Sequence, residues 1–330
     1  MVLFSGDRRE LLLPLQTGVH EDPAFTRFLA RLRARTGAQR VVLFAGPPAG
    51  TEALLAEQAA EHSLAPLSAA QLDEAIALPI NALRPGRVYA LAELPLDSDS
   101  EQVERRAELG IAHARLLRVA PRDDLNGWLL LFHANQEFAA ADSALLSAIA
   151  PHLAAALETR ARIDELTLRT RIAEDALARL GIAQAALGVD GRPIVADAVM
   201  RLPRMPLAEA TSAREPRLVG LGGDALLLRP FATAGCPLAP CATIAATRTP
   251  RRNNHAAARA LLARLHGLSP REAALADALS RGEPLVAAGV ALGLTPETTR
   301  NYSKRIYAKT GTTGQADLVQ MVLNGLALLA

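Results

Sequence analysis

The residues best suited to chemistry cluster in one stretch, TPETTRNYSKRIYAKTG, Thr295 to Gly311. It sets Arg300, Lys304, Arg305 and Lys309 against a single acid, Glu297, and its two lysines are the only lysines in 330 residues. Such a set suits a polyanion. Arg and Lys donate to guanine O6 and N7, and Asn pairs with adenine through two hydrogen bonds. A helix N-terminus adds backbone donors for phosphate. With Arg300 at zero and about 100° per residue, Lys304 falls near 40° and Asn301 near 100°. Thr299, Tyr302 and Ile306 fall at about 200° to 260°, on a less polar face that can be buried. This predicts that Arg300, Asn301 and Lys304 enter a major groove. Thr295, Thr298, Arg305 and Lys309 complete the DNA-binding set, with Thr295, Arg305 and Lys309 toward the phosphates.

The elements that position this helix are legible on either side. GLSPREAALADALSRG predicts a helix capped by Ser269, with Pro270 at its first position and Glu272 closing a capping box. EPLVAAGVALG predicts a second, short helix ended by Gly293, and Thr295, Pro296 and Gly311 frame the third. TTGQADLVQMVLNGLALL predicts a fourth. Helix, helix, tight glycine turn, helix is the helix-turn-helix order. From Leu268 to about Leu323 the chain resembles a LuxR-type (GerE-like) DNA-binding domain, through LSPREAALADALSRG and LGLTPETTRNYSKRIYAKTGTTGQADLV. The resemblance implies base reading by Arg300, Asn301 and Lys304. It also implies pairing of two domains through the fourth helix, where Leu318, Val319, Val322 and Leu326 would supply the surface. Two stretches depart from the family pattern. Thr298-Thr299-Arg300-Asn301-Tyr302 stands for the usual Thr-Val-x-x-His, and Ala288-Gly289 for the usual Ile-Ala, which predicts a weakened second helix at Gly289.

The charge distribution agrees with a polyanion partner for this module. From Arg251 onward eight Arg and two Lys face five acids, a net of +5, whereas the whole chain carries only +2. The two cysteines, Cys236 and Cys241, are too few for a disulfide-stapled fold, and with no histidine nearer than His255 they make at best half a zinc site. They are expected to be incidental. The start, MVLFSGDRRELLLP, lacks the pattern of a signal peptide. No apolar run approaches the roughly 20 residues of a membrane span. A soluble, cytoplasmic protein is expected.

Upstream, helix and strand signals alternate. DPAFTRFLARLRARTG predicts an amphipathic helix closed by Gly37, and RVVLFAG a buried strand. RVYALAELP and HARLLRVAP read as further strands. NGWLLLFHANQEF reads as an Asn126-Gly127 turn followed by a continuous apolar strand. With the helix from Phe138 to Leu153, this order resembles a GAF domain, a small-molecule sensor fold with a central antiparallel sheet. A small, largely apolar effector is expected against that sheet, with His113, Trp128, Leu130, Phe132 and His133 as its candidate contacts. For the two histidines a satisfied structural role is the competing reading.

Ile163, Leu166, Thr170, Ala173, Leu177 and Leu180 step by three and four, a heptad seam that predicts a dimer helix. A domain-packing helix would show the same stripe. GIAQAALGVDGRPIVADA and RLVGLGGDALLLRPF predict hairpins around Asp190-Gly191 and Gly222-Gly223, closed by CATIAATRT. These resemble a shortened PAS domain with a thin helical middle, RLPRMPLAEATSA.

The expected fold class is α+β and multidomain. A GAF-like antiparallel-sheet sensor spans 1–160, a linking helix 155–181, and a small PAS-like domain 181–250. A linker at 251–265 and an all-α four-helix helix-turn-helix domain at 266–330 follow. No phosphate loop, paired acids, nucleophile elbow or receiver-type acidic cluster is present, so neither an enzyme nor a phosphorylation switch is expected, and no cofactor or metal. A sigma factor would carry a promoter-melting region that this sequence lacks. The expected function is a ligand-responsive regulator. Its partners would be double-stranded DNA as an inverted repeat, a small-molecule effector, a second copy of the chain and, as a further candidate, RNA polymerase. The alternative is a regulator or adaptor whose N-terminal domains dock a protein and bind no small molecule.

Overall fold

The computed structural model describes residues 5–47, 53–59, 71, 83–94, 100–188, 190–197, 215–221, 224–231, 241, 243–248 and 255–324. The chain divides into two compact units, Met1–Leu168 and Arg169–Ala330.

In the first unit, helix α1 (Thr26–Thr36) ends at Gly37 with a left-handed φ of 66°. Strands β1 (Arg40–Gly46), β2 (Ala53–Ala59) and β3 (Val88–Ala90) follow. Then come α2 (Ser100–Glu108), β4 (His113–Arg122), β5 (Leu125–His133) and the long helix α3 (Ala140–Arg179). The sheet is antiparallel, in the order β2-β1-β5-β4-β3. Its two central strands are apolar on both sides. Val41, Leu43, Leu129 and Leu131 pack with α1 and the first half of α3. Val42, Phe44, Trp128, Leu130 and Phe132 pack with Leu91, Leu94 and Ile111 on the opposite face. Burial on both faces turns the usual alternation into a continuous apolar run. RVYALAELP is strand only at Val88–Ala90 and continues as a single helical turn, Leu91–Glu93.

The expected Asn126-Gly127 turn is corrected. Both residues lie inside β5, opposite Gly46 and Ala45 of β1, and the reversal falls between Arg122 and Leu125. Gly127 serves close approach instead: a Cβ there would run into the Leu157 side chain of α3.

α3 is one helix of 40 residues rather than two segments. By length and composition it is long and apolar enough to cross a bilayer. Leu145, Leu146, Ile149, Leu153 and Leu157 in its first half are buried against the sheet. The expected heptad seam is not uniform along it. Ile163 packs on the first unit's core, Leu177 and Leu180 are half-buried, and Leu166 is exposed. Leu168 and Ile172 are also exposed, off that seam.

The second unit opens with β6 (Ile182–Leu187) and β7 (Pro193–Ala196), then β8 (Arg217–Leu221), β9 (Asp224–Pro230) and β10 (Thr243–Arg248). The order β7-β6-β10-β9-β8 repeats that of the first sheet, again antiparallel. Gly191 takes the turn between β6 and β7 at φ 74°, and the Asp190 side chain accepts from the Arg192 N–H. The expected helical middle at 201–213, the Gly222-Gly223 turn and Cys236 lie outside the described residues. Cys241 is buried, its thiol donating to the Thr243 carbonyl at 3.4 Å.

Five helices complete the chain: α4 (His255–His266), α5 (Pro270–Ser280), α6 (Leu285–Ala291), α7 (Pro296–Thr310) and α8 (Gln315–Asn324). α5 touches the other four. The expected linker is corrected here, because 255–265 is helical and Leu262 is buried in the same core as Leu275, Leu279 and Ile306. HAAARALLARLH is rich in strong helix formers, which outweigh the polar run before it. The expected dimer surface on the fourth helix is also corrected: Leu318 and Val322 are buried in that core and hold α8 to α5. Val319 is half-buried, and Leu326 lies outside the described residues.

Candidate nucleic-acid interface and sensor site

α7 begins with a cap made by Thr295, whose Oγ1 accepts from the Thr298 N–H at 3.3 Å and lies 2.8 Å from the Thr298 hydroxyl. It ends at Gly311, left-handed at φ 71°, whose N–H bonds to the Tyr307 carbonyl. Thr299, Ser303 and Ile306 are buried, and Tyr302 and Tyr307 pack half-buried on the same core. Arg300, Asn301, Lys304 and Arg305 are exposed. Among the described residues, none hydrogen-bonds or ion-pairs with the side chains of these four. The helix therefore presents a polar, cationic face on a buried scaffold, which is the geometry a groove-reading helix needs.

Lys309 does not belong to that face, which corrects its expected place at the phosphates. Its Nζ donates to Glu272 Oε2 at 2.7 Å and to the Gly267 carbonyl at 3.0 Å. The same carboxylate accepts from the Ser269 N–H at 2.8 Å, and Ser269 Oγ accepts from the Glu272 N–H at 3.3 Å. The capping box of α5 is thus extended by a lysine from the far end of α7, so the cap and the clamp are one network. Thr295 is likewise engaged through its hydroxyl, which leaves Arg305 as the exposed cation of the expected phosphate set.

Burial pushes the Glu272 carboxyl up, but the Lys309 ammonium and the two Ser269 hydrogen bonds outweigh it, and the group lies below the ordinary carboxylate value. A depressed folded value means the stabilisation is complete above the unfolded value, about 4.3, and is lost as pH falls through the folded one. The helical domain is therefore expected to lose stability on acidification below about pH 4.3, and Glu272→Gln to flatten that dependence. Thermal melts from pH 7 to pH 3 check this; an unchanged acid slope in Glu272→Gln would exclude it.

Other fastenings escaped the sequence reading. Arg281 binds Asp277 and donates to Glu283 Oε1 through Nη2 at 2.7 Å. Gln315 Nε2 donates to the carbonyls of Leu279 at 3.3 Å and Glu283 at 2.9 Å, tying the start of α8 to the end of α5. Gly289 is not a defect either. A Cβ there would strike the Thr299 hydroxyl and approach its methyl to 2.8 Å. Gly289 and Thr299 face each other across α6 and α7.

On the first sheet the five candidate effector contacts do not form one site. Trp128, Leu130 and Phe132 share one buried face. His113 and His133, opposite each other in register, alternate with Phe132 and Ala114 and so lie on the other face. His113 lines a cleft of about 420 Å³ with Leu91, Arg106 and Ile111. Arg115 in that cleft is bound to Ser143 Oγ and to the carbonyls of Ala114 and Phe138. His133 lines another cleft, of about 390 Å³, with Arg33 and Gln39. Its Nδ1 accepts the Asn135 and Gln136 N–H groups at 3.1 and 2.9 Å, so it serves a turn.

No protein-family profile matches the chain, and no curated protein matches it. Solved structures of similar backbone course include a bacteriophytochrome from the photosynthetic bacterium R. palustris, at 14% identity and a TM-score of 0.40. That match covers 75% of this chain and 62% of the other, so the chain spans less than two thirds of the bacteriophytochrome. The VqsR LBD domain from Pseudomonas aeruginosa matches at 17% identity and a TM-score of 0.38, covering 48% of this chain and 98% of that one. The phycoerythrobilin-bound GAF domain from a cyanobacterial phytochrome matches at 16% identity and a TM-score of 0.36, covering 50% and 99%.

Proposed function

We propose that this chain is a ligand-responsive transcription regulator that binds double-stranded DNA as a homodimer in the cytoplasm and catalyses no reaction. The observation that carries the reading is the face of Arg300, Asn301, Lys304 and Arg305, exposed and without described partners, on a helix whose other side is buried. The order of α5 to α8, the capping box at Ser269 and the stop at Gly311 are what the LuxR-type resemblance implies. A central antiparallel sheet with helices packed on one face is what the GAF resemblance implies for residues 1–160, and the second sheet supports a PAS-like module after it. Selection of bound fragments from the source genome tests the reading. The expected yield is an inverted repeat with half-sites about one turn, roughly 10 bp, apart; no enrichment of any sequence would defeat it. RNA polymerase is a further partner such a regulator would meet.

A second reading keeps the DNA-binding domain and assigns the N-terminal domains to a protein partner. The closed packing of Trp128, Leu130 and Phe132 favours it.

With Leu318 and Val322 turned inward, the dimer contact falls to the distal part of α3, where Leu166 is 48% exposed and Leu177 and Leu180 continue its stripe. Light scattering at micromolar concentration is expected to report twice the 34.9 kDa chain mass. Leu166→Glu should shift it toward monomer. A monomer in the unaltered protein, with and without DNA, would remove the dimer.

A further inference from the structure

One corner of the first sheet carries buried hydrogen-bond donors with no acceptor among the described residues. Asn126 and Trp128 follow each other on the same face of β5, about 7 Å apart along the strand. Both are buried, with 1% and 2% of their surface exposed. Arg118 of β4 lies directly opposite Trp128. Its Nε and Nη2 both donate to Asn126 Oδ1, at 3.1 and 2.8 Å, and its Nη1 donates to the Leu83 carbonyl at 2.7 Å.

That fork settles which way the Asn126 amide points. A guanidinium has no acceptor, so the oxygen must face Arg118 and the NH₂ must face away. Among the described residues, Asn126 Nδ2 meets no acceptor, and neither does Trp128 Nε1. An indole nitrogen can only donate. Two donor-only atoms thus lie buried side by side, each costing about 1–3 kcal/mol while unpaired. Both sit at the polar end of a surface otherwise made of Val42, Phe44, Leu116, Leu130 and Phe132.

We infer that the effector of the first domain is an apolar molecule bearing a hydrogen-bond acceptor, a carboxylate or a carbonyl, which Trp128 Nε1 and Asn126 Nδ2 receive. The inference rests on the sensor reading of residues 1–160 and gives it a ligand class. An apolar body displaces some of the apolar cover of this face, and the acceptor satisfies both donors. A ligand whose only polar group is a donor leaves them as they are and is rejected, because a site built to bond a group discriminates strongly against analogues lacking it. Arg118 acts as a positioning residue: it orients the amide and adds positive potential beside it.

The test uses the full chain labelled with ¹⁵N. It has one tryptophan, so its spectrum holds a single indole N–H signal. Octanoate, octanamide and octylamine are the probes, one chain length with three head groups. The expected result is that octanoate or octanamide binds, moves the indole proton downfield and slows its exchange, while octylamine does not. Trp128→Phe, which keeps an aromatic ring, though a smaller one, and loses the donor, should weaken octanoate at least tenfold. Asn126→Asp should do the same and should spare octanamide more, because it keeps the bond to Arg118 but turns the donor into a negative acceptor. Binding with an unmoved indole signal, and unchanged affinity in both variants, overturns the assignment and leaves the sensor reading standing. An indole already downfield and protected in the ligand-free protein overturns it too, by showing a resident water as partner. If neither the probes nor an extract of cellular metabolites shifts the melting temperature or the indole signal, the sensor reading falls and the assignment with it.

Discussion

Arg300→Ala is expected to weaken binding to the specific operator by about 1–3 kcal/mol and to relax preference at one base position. Arg305→Ala is expected to weaken operator and random DNA nearly alike and to make the salt slope shallower by about one unit per half-site. The difference follows from where the two side chains stand on α7. Arg300 shares its face with Asn301 and Lys304, at angles a single groove can accept. Arg305 is the neighbouring exposed cation, turned about 100° from Lys304, where the proposed docking puts the sugar-phosphate wall. A base contact carries sequence information and a phosphate contact does not. Lys309→Met supplies the control, since that ammonium is spent on Glu272 and Gly267. It should leave the salt slope unchanged and cost about 1–2 kcal/mol of stability instead, less than the 3–5 of a fully buried pair because Lys309 is partly exposed. Affinities of all three variants on both DNAs across a salt series decide the matter. Equal losses for Arg300→Ala on operator and random DNA would make Arg300 a phosphate contact.

Gly289→Ala is expected to destabilise the helical domain by about 1–2 kcal/mol, although the same change in an open helix would stabilise it by about 0.5–1. The cause is Thr299, whose hydroxyl donates to the Thr295 carbonyl at 2.8 Å and is thereby fixed in the path of any Cβ at position 289. Thr299→Ala removes both the hydroxyl and the methyl. The double variant should therefore be at least as stable as Thr299→Ala alone, a coupling that independent sites would not show. Melting temperatures of the four proteins complete the cycle, with each kcal/mol worth about 4–8 °C in a domain of this size. A stabilised Gly289→Ala would mean that α6 and α7 can move apart, and the close approach would not be a requirement.

What could be read from the sequence was local. Ser269, Thr295 and Gly311 announce helix ends because a cap is made by residues three or four apart, all visible in one window. The strands β1 and β5 announce themselves by unbroken apolar runs. Sequence and structure part where a residue's role depends on something distant in the chain. Asn126-Gly127 has the composition of a turn, and only Leu157, thirty residues on, makes the glycine a point of contact. Gly289 looks like a weak helix residue until Thr299 is placed against it. Lys309 looks like another cation for the phosphates until Glu272 is brought beneath it. Leu318 and Val322 form a regular apolar stripe, and such a stripe is the same for a dimer surface and for an internal contact; the position of α5 decides. The five candidate effector residues come from β5 and the facing end of β4, and strand alternation splits them between two faces.

The scarcity of lysine gives α7 one more property, in the domain of reagents rather than of DNA. Apart from the α-amino group, the whole chain offers amine-directed chemistry two nitrogens, and Lys309 is occupied by a carboxylate and a carbonyl. Lys304 is left as the one exposed, unengaged side-chain amine, between Arg300 and Asn301 on the face proposed to read DNA. An ester-linked dye would mark this protein mainly at a single side chain, and on the proposed function it would disturb the binding it was meant to report.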